Sequence, residues 1–267
     1  GDKAIAELGI PCRNCYYCHR GMYHLCDNLK AIGGTLNGGW AEYLLYPSGS
    51  IVHRVNKTVA DEIAVFTEPL ANAIHGIELA NLGFQDILVI AGGGAIGMGM
   101  LQIALYKHPQ KIILLDVQEE IRKTALAIGA DYSMDPRDNT TVQELVNSLT
   151  NGRGCDVFIE ASGAPSSIQF GLELCRKAGR LVVFGVYSKN SEIDANFISE
   201  YKELQILGGH LAPNTYERAI EFLTNNEVRT DLIITHKYPL RKFHEALTVE
   251  SKENNPRIKV ILDPQSN

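Results

Sequence analysis

The chain has 267 residues, 45% hydrophobic and 21% charged, an ordinary globular mix with enough length to bury one large core or two modest ones. Its net charge of −6 provides no basic footprint for nucleic acid or an anionic membrane. No stretch approaches the ~18 unbroken apolar residues of a membrane-spanning helix, and no signal-peptide pattern opens the chain. A cytoplasmic protein is expected.

In chain order, Gly1 to about Leu70 is turn-rich, with Gly33-Gly34, Gly38-Gly39 and Pro47-Ser48-Gly49 between short apolar stretches, which predicts an irregular β region. Its first residues, Gly1 to Ala6, read as a turn entering a strand, as in a chain that begins within a domain. From about Ala71 to Leu211, short apolar runs alternate with helical patterns, the βαβ signature of an α/β fold with a doubly wound parallel sheet. Strands are predicted at Ile87–Ala91, Lys111–Asp116, Val157–Glu160, Leu181–Phe184 and Leu204–Leu207. Helices are predicted from Ile96 to before Pro109, and at Glu119–Ile128, Thr141–Leu149 and Ser166–Arg176. Gly129 is the expected C-terminal cap of the second. Beyond Leu211 the pattern predicts helices at Tyr216–Leu223 and Leu240–Val249, and a closing strand at Ile258–Leu262.

Gly92-Gly93-Gly94-Ala95-Ile96-Gly97 is a G-x-G-x-x-G that directly follows an apolar strand and opens a helix, the context its mechanics require. Gly92 permits the tight turn, Gly94 lets backbone approach a pyrophosphate, and Gly97 lets helix pack on strand. The helix start at Ala95 and Ile96 then offers free N–H groups and partial positive charge to phosphates. Asp116 ends the next strand, close to the spacing of about 20 residues expected of the acid that binds the adenosine ribose. Its carboxylate accepts from a 2′-hydroxyl and repels a 2′-phosphate. Val117 and Gln118 bring no arginine, and Arg122 lies further into the helix, so NAD is favoured over NADP.

Four of the six cysteines, Cys12, Cys15, Cys18 and Cys26, fall within one short loop. Four thiolates complete a tetrahedral zinc shell with no open position, so such a zinc is structural. An iron–sulfur cluster is the rival, because the first three have ferredoxin-like spacing; no second cluster motif and no Cys-Pro supports it. Cys155 and Cys175 stand in apolar company and read as small buried thiols.

A four-cysteine loop ahead of a dinucleotide-binding unit resembles the zinc-containing medium-chain alcohol/polyol dehydrogenases, the sorbitol dehydrogenase-like members in particular. The cysteines match that family's structural-zinc lobe. Gly38-Gly39-Trp40-Ala41-Glu42-Tyr43 is similar to its Gly-Gly-aromatic-Ala-Glu-Tyr segment, and Glu68-Pro69-Leu70-Ala71 with His75 to the stretch joining its two domains. Glu160-Ala161-Ser162-Gly163 and Phe184-Gly185-Val186 resemble its later cofactor-lining strands, and the likeness covers essentially the whole chain. It implies an NAD-binding Rossmann domain at 71–212. It also implies a GroES-like β domain, split between 1–70 and 213–267, that carries the zinc lobe at 12–26.

The resemblance implies a reaction as well. In the family a second, catalytic zinc binds the alcohol oxygen and stabilises the alkoxide while hydride passes to the nicotinamide. Glu68 stands where polyol dehydrogenases carry a glutamate that ligates this zinc or partners its water. Trp40 aligns with an aromatic of the substrate cleft, Ser162, Gly185 and Val186 with cofactor-lining positions, and Lys259 with a basic residue near the pyrophosphate. On the residues alone, Glu68 reads as a helix cap, Trp40 as core and Lys259 as a surface charge.

The family's other catalytic-zinc ligands, a cysteine and a Gly-His-Glu, align upstream of Gly1, and none of the eight histidines stands in a Gly-His-Glu. The expectation is an N-terminally incomplete dehydrogenase that binds one structural zinc and NAD with little or no turnover. Oxidation of a secondary alcohol of a polyol or sugar alcohol to a ketone is the favoured chemistry. The alternatives are a butanediol- or threonine-type dehydrogenase of the same family and a non-catalytic NAD-binding paralogue. A homo-oligomer, dimer or tetramer, is expected by resemblance.

Overall fold

The computed structural model describes residues 1–249 and 256–266. In chain order its strands and helices begin with β1 (Lys3–Ala6), β2 (Gly9–Ile10), β3 (Lys30–Ala31), β4 (Val52–Val55), α1 (Asp61–Ala64) and α2 (Thr67–Ala80). They continue as β5 (Ile87–Ala91), α3 (Ala95–Leu105), β6 (Lys111–Leu115), α4 (Glu119–Ile128), β7 (Tyr132–Met134) and α5 (Asn139–Thr150). The remainder are β8 (Cys155–Glu160), α6 (Pro165–Leu174), β9 (Cys175–Val183), β10 (Gln205–Gly208), α7 (Tyr216–Thr224), β11 (Ile234–Pro239), α8 (Phe243–Thr248) and β12 (Lys259–Asp263). The chain forms two compact units. Among the described residues one comprises Gly1–Asn72, 210–249 and 259–266; the other is Ala73–Gly209 with 256–258.

The second unit is built on a six-stranded sheet in the order β10-β9-β8-β5-β6-β7, parallel throughout. Read from β7, this is the doubly wound order in which the chain turns back after three strands, leaving a crevice where β5 adjoins β8. All five residues of β5 and four of the five in β6 are buried, as a sheet covered on both faces requires. The core of this unit joins Val89, Ile113, Phe158, Phe170 and Leu181. Helix α3 is buried from Gly97 to Ala104, so its apolar residues go all round rather than along one stripe. Helix α4 ends on Gly129 at φ 133°, and Asp138 caps α5 by accepting from the Thr141 N–H at 3.1 Å, a contact of the kind that supports a helix start by about 1 kcal/mol.

Several element boundaries differ from those the sequence predicts. The helix expected through Arg176 stops at Leu174, and β9 begins at Cys175, which pairs with Cys155 on β8. Both thiols are buried, so pairing and burial end the helix earlier than its periodicity does. The expected helix at Leu240–Val249 is a 3-10 turn at Leu240–Lys242 followed by α8. Strand β7, unmarked in the sequence, is three half-buried residues on the sheet edge beside β6.

The first unit holds three two-stranded ladders, β1 with β4, β2 with β3, and β11 with β12. A small core of Val55, Val59 and Ala64, with Ile5, Ile63 and Ile220 packed on it, sits under β4, α1 and α7.

Candidate functional site

The glycine-rich turn leaves β5 at the crevice. Gly92 adopts φ 105°, and a Cβ there would lie 2.8 Å from the backbone of Ser162, so only glycine serves. A Cβ at Gly97 would come within 1.9 Å of the Gly92 carbonyl oxygen; this glycine lets α3 begin directly above the turn. Gly94, the N-cap of α3, meets nothing within 4 Å. An open glycine ahead of the first N–H groups of Ala95 and Ile96 leaves room for a phosphate to approach the backbone. These residues fit a dinucleotide pyrophosphate.

Asp116 follows β6 and its carboxylate is fixed from two sides. Oδ2 accepts from the Gly93 N–H at 2.8 Å and Oδ1 from the Gln118 N–H at 2.9 Å. The acid is thereby tied to the phosphate turn itself. Arg122, distant by its place in the helix, reaches back to donate to the Asp116 carbonyl at 2.8 Å.

On the other side of the crevice, Glu160 closes β8 with 0% exposure. A buried carboxylate needs donors, and it has four. They are the Ser162 N–H at 2.9 Å, the Gly163 N–H at 3.0 Å, the Ser162 hydroxyl, and the Tyr187 hydroxyl at 2.5 Å. Burial first, and then the Glu160 hydrogen bond and charge, push the Tyr187 phenol well above its ordinary range. Gly185 packs against this carboxylate so closely that a Cβ would stand 2.3 Å from Oε2. Val186 is 94% exposed, an apolar side chain turned outward at the C-terminal end of the sheet. The motif Glu160-Ala161-Ser162-Gly163 had marked this region, but not the role of Glu160 as its anchor or the part of Tyr187.

In the first unit the four sulfurs of Cys12, Cys15, Cys18 and Cys26 lie within 4.8 Å of one another. Backbone N–H groups are directed at them: those of Cys12 and Asn28 donate to Cys26 Sγ at 3.2 and 3.4 Å. Backbone donation from Cys18 and Asp27 brings the Cys15 thiol down to about 6, while desolvation and then the Cys15 thiol push Cys18 up to about 12. Four thiols this close cannot all ionise without a cation, and an all-sulfur set fits zinc. Among the described residues this is the one group of three or more His, Cys, Asp or Glu side chains placed to hold a metal ion.

Glu68 is the second residue of α2. The Asn72 side-chain amide donates to its Oε1 at 2.7 Å and to its carbonyl at 2.9 Å. Desolvation raises its pKa, opposed by the charge of Lys259 on β12 and by the Asn72 bond. Lys259 is therefore electrostatically linked to Glu68. Glu68 shares a narrow cleft with Glu7, Tyr23, Asn72 and Tyr216. Trp40 is 65% exposed, with its ring edge-on to Phe243 at 4.8 Å, so it is not a core residue. Glu68 does not belong to a metal-ligand group among the described residues.

A buried cluster that no sequence motif marks lies beside this cleft. Glu7 accepts from the Tyr23 hydroxyl at 3.2 Å and bonds His53 Nε2 at 3.1 Å. His53 stacks on Tyr216, and the Tyr23 oxygen accepts the Asn214 N–H at 2.8 Å. Glu7, Tyr23 and His53 line a cavity of about 470 Å³.

Comparison with known proteins agrees with this geometry. Residues 1–57 match the alcohol dehydrogenase GroES-like domain and residues 95–225 the zinc-binding dehydrogenase model. The chain is 36% identical over 266 residues to an erythritol/L-threitol dehydrogenase of Mycolicibacterium smegmatis, covering 99% of this chain and 73% of that protein. It is 34% identical to an L-threonine 3-dehydrogenase of Pyrococcus horikoshii, covering 92% and 71%. A protein assigned as a zinc-binding dehydrogenase of Sinorhizobium meliloti, solved bound to NADP, superposes with a TM-score of 0.90 at 28% identity, covering 99% of this chain and 77% of that one. The chain belongs to the zinc-dependent medium-chain alcohol/polyol dehydrogenase family. Its fold is a Rossmann-type parallel sheet with a GroES-like domain, and its four-cysteine cluster could hold the zinc of this zinc-binding family. No helix among the described residues is long and apolar enough to cross a membrane.

Proposed function

We propose that this chain serves an NAD-dependent oxidation of a secondary alcohol of a polyol or sugar alcohol to a ketone. The observation that carries the cofactor half is Asp116, a carboxylate fixed by Gly93 and Gln118 at the end of β6. There it accepts from the ribose hydroxyls and repels a 2′-phosphate. Gly92, Gly94 and Gly97 admit the pyrophosphate, and the N–H groups of Ala95 and Ile96 bind it. Ser162, Gly185 and Val186 line the cofactor, with the Val186 side chain offering it an apolar surface. The bound dinucleotide supplies the hydride acceptor.

Cys12, Cys15, Cys18 and Cys26 hold a structural zinc that fixes their loop. Glu68, a largely desolvated acid oriented by Asn72, acts at the substrate end as metal ligand or proton acceptor. Trp40 lines the substrate cleft, and Lys259 serves the pyrophosphate while its charge favours the ionised form of Glu68. The working form is a homo-oligomer, and the substrate is a small molecule.

Polyols are favoured because the erythritol/L-threitol dehydrogenase matches at 36% identity over nearly the whole chain. The L-threonine 3-dehydrogenase relative supports a second reading, an amino-alcohol substrate. NAD-linked oxidation by the native polypeptide, across erythritol, threitol, sorbitol, a butanediol and L-threonine, separates the two. A higher kcat/KM for the polyols supports the first reading and a threonine preference the second. NADH binding with no oxidation of any substrate points to a non-catalytic NAD-binding protein.

A further inference from the structure

Two asparagines of the chain precede a glycine, Asn37-Gly38 and Asn151-Gly152. Such an asparagine is chemically labile, because the following backbone nitrogen can attack its side-chain amide. Glycine is the successor that hinders this attack least, having no Cβ. The attack also needs a nitrogen that is not held in a hydrogen bond. The fold treats the two pairs differently. Asn151 caps α5 in the left-handed region, at φ 53°, and the Gly152 N–H donates to the Asn147 carbonyl at 2.8 Å. That bond belongs to the helix end and keeps the nitrogen in place. Asn37 is exposed and lies outside any strand or helix, and among the described residues the Gly38 N–H donates no hydrogen bond. A Cβ at Gly38 would stand 2.8 Å from the Gly33 Cα. The packing of these two glycines therefore demands the very residue that leaves the nitrogen uncovered.

We infer that Asn37 is a site of spontaneous deamidation in the folded chain, and that the conversion moves Trp40. The Gly38 nitrogen gives up its proton and attacks Cγ of Asn37. A C–N bond forms, the Cγ–Nδ2 bond breaks, and ammonia leaves with that proton, giving a cyclic imide. Water then adds to one of the two imide carbonyls. Opening at Cγ gives aspartate; opening at the backbone carbonyl gives isoaspartate, whose main chain runs through Cβ and Cγ. Water is the sole co-reactant, and neither an oxidant nor a reductant takes part. Isoaspartate adds one methylene to the main chain between Leu36 and Gly38. Leu36 is held, its carbonyl accepting the Gly33 N–H and its N–H donating to the Ala31 carbonyl, both at 3.0 Å. The added length therefore falls on Gly38, Gly39 and Trp40. Trp40 packs edge-on against Phe243 and is the chain's one tryptophan. The inference goes beyond the function proposed above and does not depend on it, although that reading places Trp40 at the substrate cleft.

The test is incubation of the folded chain in mildly alkaline buffer, with the same chain in denaturant as the control. Peptide mass mapping locates each new acid, and isoelectric focusing reads its charge. Methyl transfer from S-adenosylmethionine by an isoaspartyl methyltransferase marks isoaspartate. In denaturant both Asn-Gly pairs are expected to convert alike. In the folded chain Asn37 should convert first, making the net charge one unit more negative than −6. Asn151 should be at least about fivefold slower, because its hydrogen bond at the helix end must open first. Trp40 fluorescence should shift with the time course of Asn37 and stay constant in Asn37→Gln, whose longer side chain closes the ring poorly. Melting curves report whether that variant folds, and the wild-type time course decides the matter without it. Asn37 intact when the denatured control has converted, or Asn151 keeping pace with it in the folded chain, overturns the inference. So does conversion of Asn37 that leaves Trp40 fluorescence unchanged.

Discussion

The Tyr187 hydroxyl donates to Oε2 of the fully buried Glu160 across 2.5 Å, joining the turn after β9 to the end of β8. Through the same carboxylate the Ser162–Gly163 turn is fixed, and Gly92 is packed against that turn. Tyr187→Phe leaves one carboxylate oxygen with a donor fewer in a dry site. It is expected to lower stability by about 1–3 kcal/mol and to weaken NADH binding. Thermal melts and NADH titration read the two effects, and Tyr187→Phe with unchanged NADH affinity would mean the network is structural only.

The glycines of the phosphate turn are expected to separate folding from binding. Gly97→Ala places a Cβ 1.9 Å from the Gly92 oxygen, which forces backbone apart and is expected to cost about 1–3 kcal/mol or more. Gly94→Ala meets nothing within 4 Å. It should melt with the wild type yet bind NADH about tenfold or more weakly, because its methyl occupies the pyrophosphate approach. Equal loss of stability in both would contradict the assignment of Gly94.

Zinc at the four cysteines is expected at one equivalent per chain in metal analysis. Cys18→Ser should lose it and lower Tm by roughly 5–10 °C, the shift expected for a few kcal/mol in a protein of this size. A Cys18→Ser protein that keeps its metal and its Tm would remove these cysteines as the site.

Burial raises the pKa of Glu68 and of Glu7. Between the ordinary carboxylate range and those raised values, the folded chain keeps protons that the unfolded chain has released, so stability falls as pH rises through that window. Glu68→Gln retains an oxygen for Asn72 and removes the charge. It should raise Tm by a few degrees at pH 8 and have little effect near pH 4, where the wild-type carboxyl is protonated. A Tm increase of the same size at both pH values would show that the charge is not the cause.

Much of the cofactor half was legible in the sequence because its chemistry is local. A buried strand, a glycine turn and a helix start follow one another from Ile87 to Gly97, and Asp116 closes the next strand. The four cysteines were legible because their spacing is itself the signal. What escaped depends on contacts between distant segments. Glu160 looks like an ordinary strand end until Tyr187 and Ser162 are seen around it, and Glu7, Tyr23 and His53 come together from three separate elements. Arg122 lies well into its helix by sequence, yet its long side chain reaches back to the Asp116 carbonyl. Strand β7 is too short for alternation to show, and it exists because it pairs with β6.

The most direct test is titration of the wild-type chain with NADH and NADPH, read by nucleotide fluorescence. A fixed Asp116 beside the Gly92–Gly97 turn should give saturable NADH binding and, from the like-charge penalty, NADPH binding at least about tenfold weaker. No NADH binding by the folded chain, or equal affinity for the two nucleotides, would contradict it.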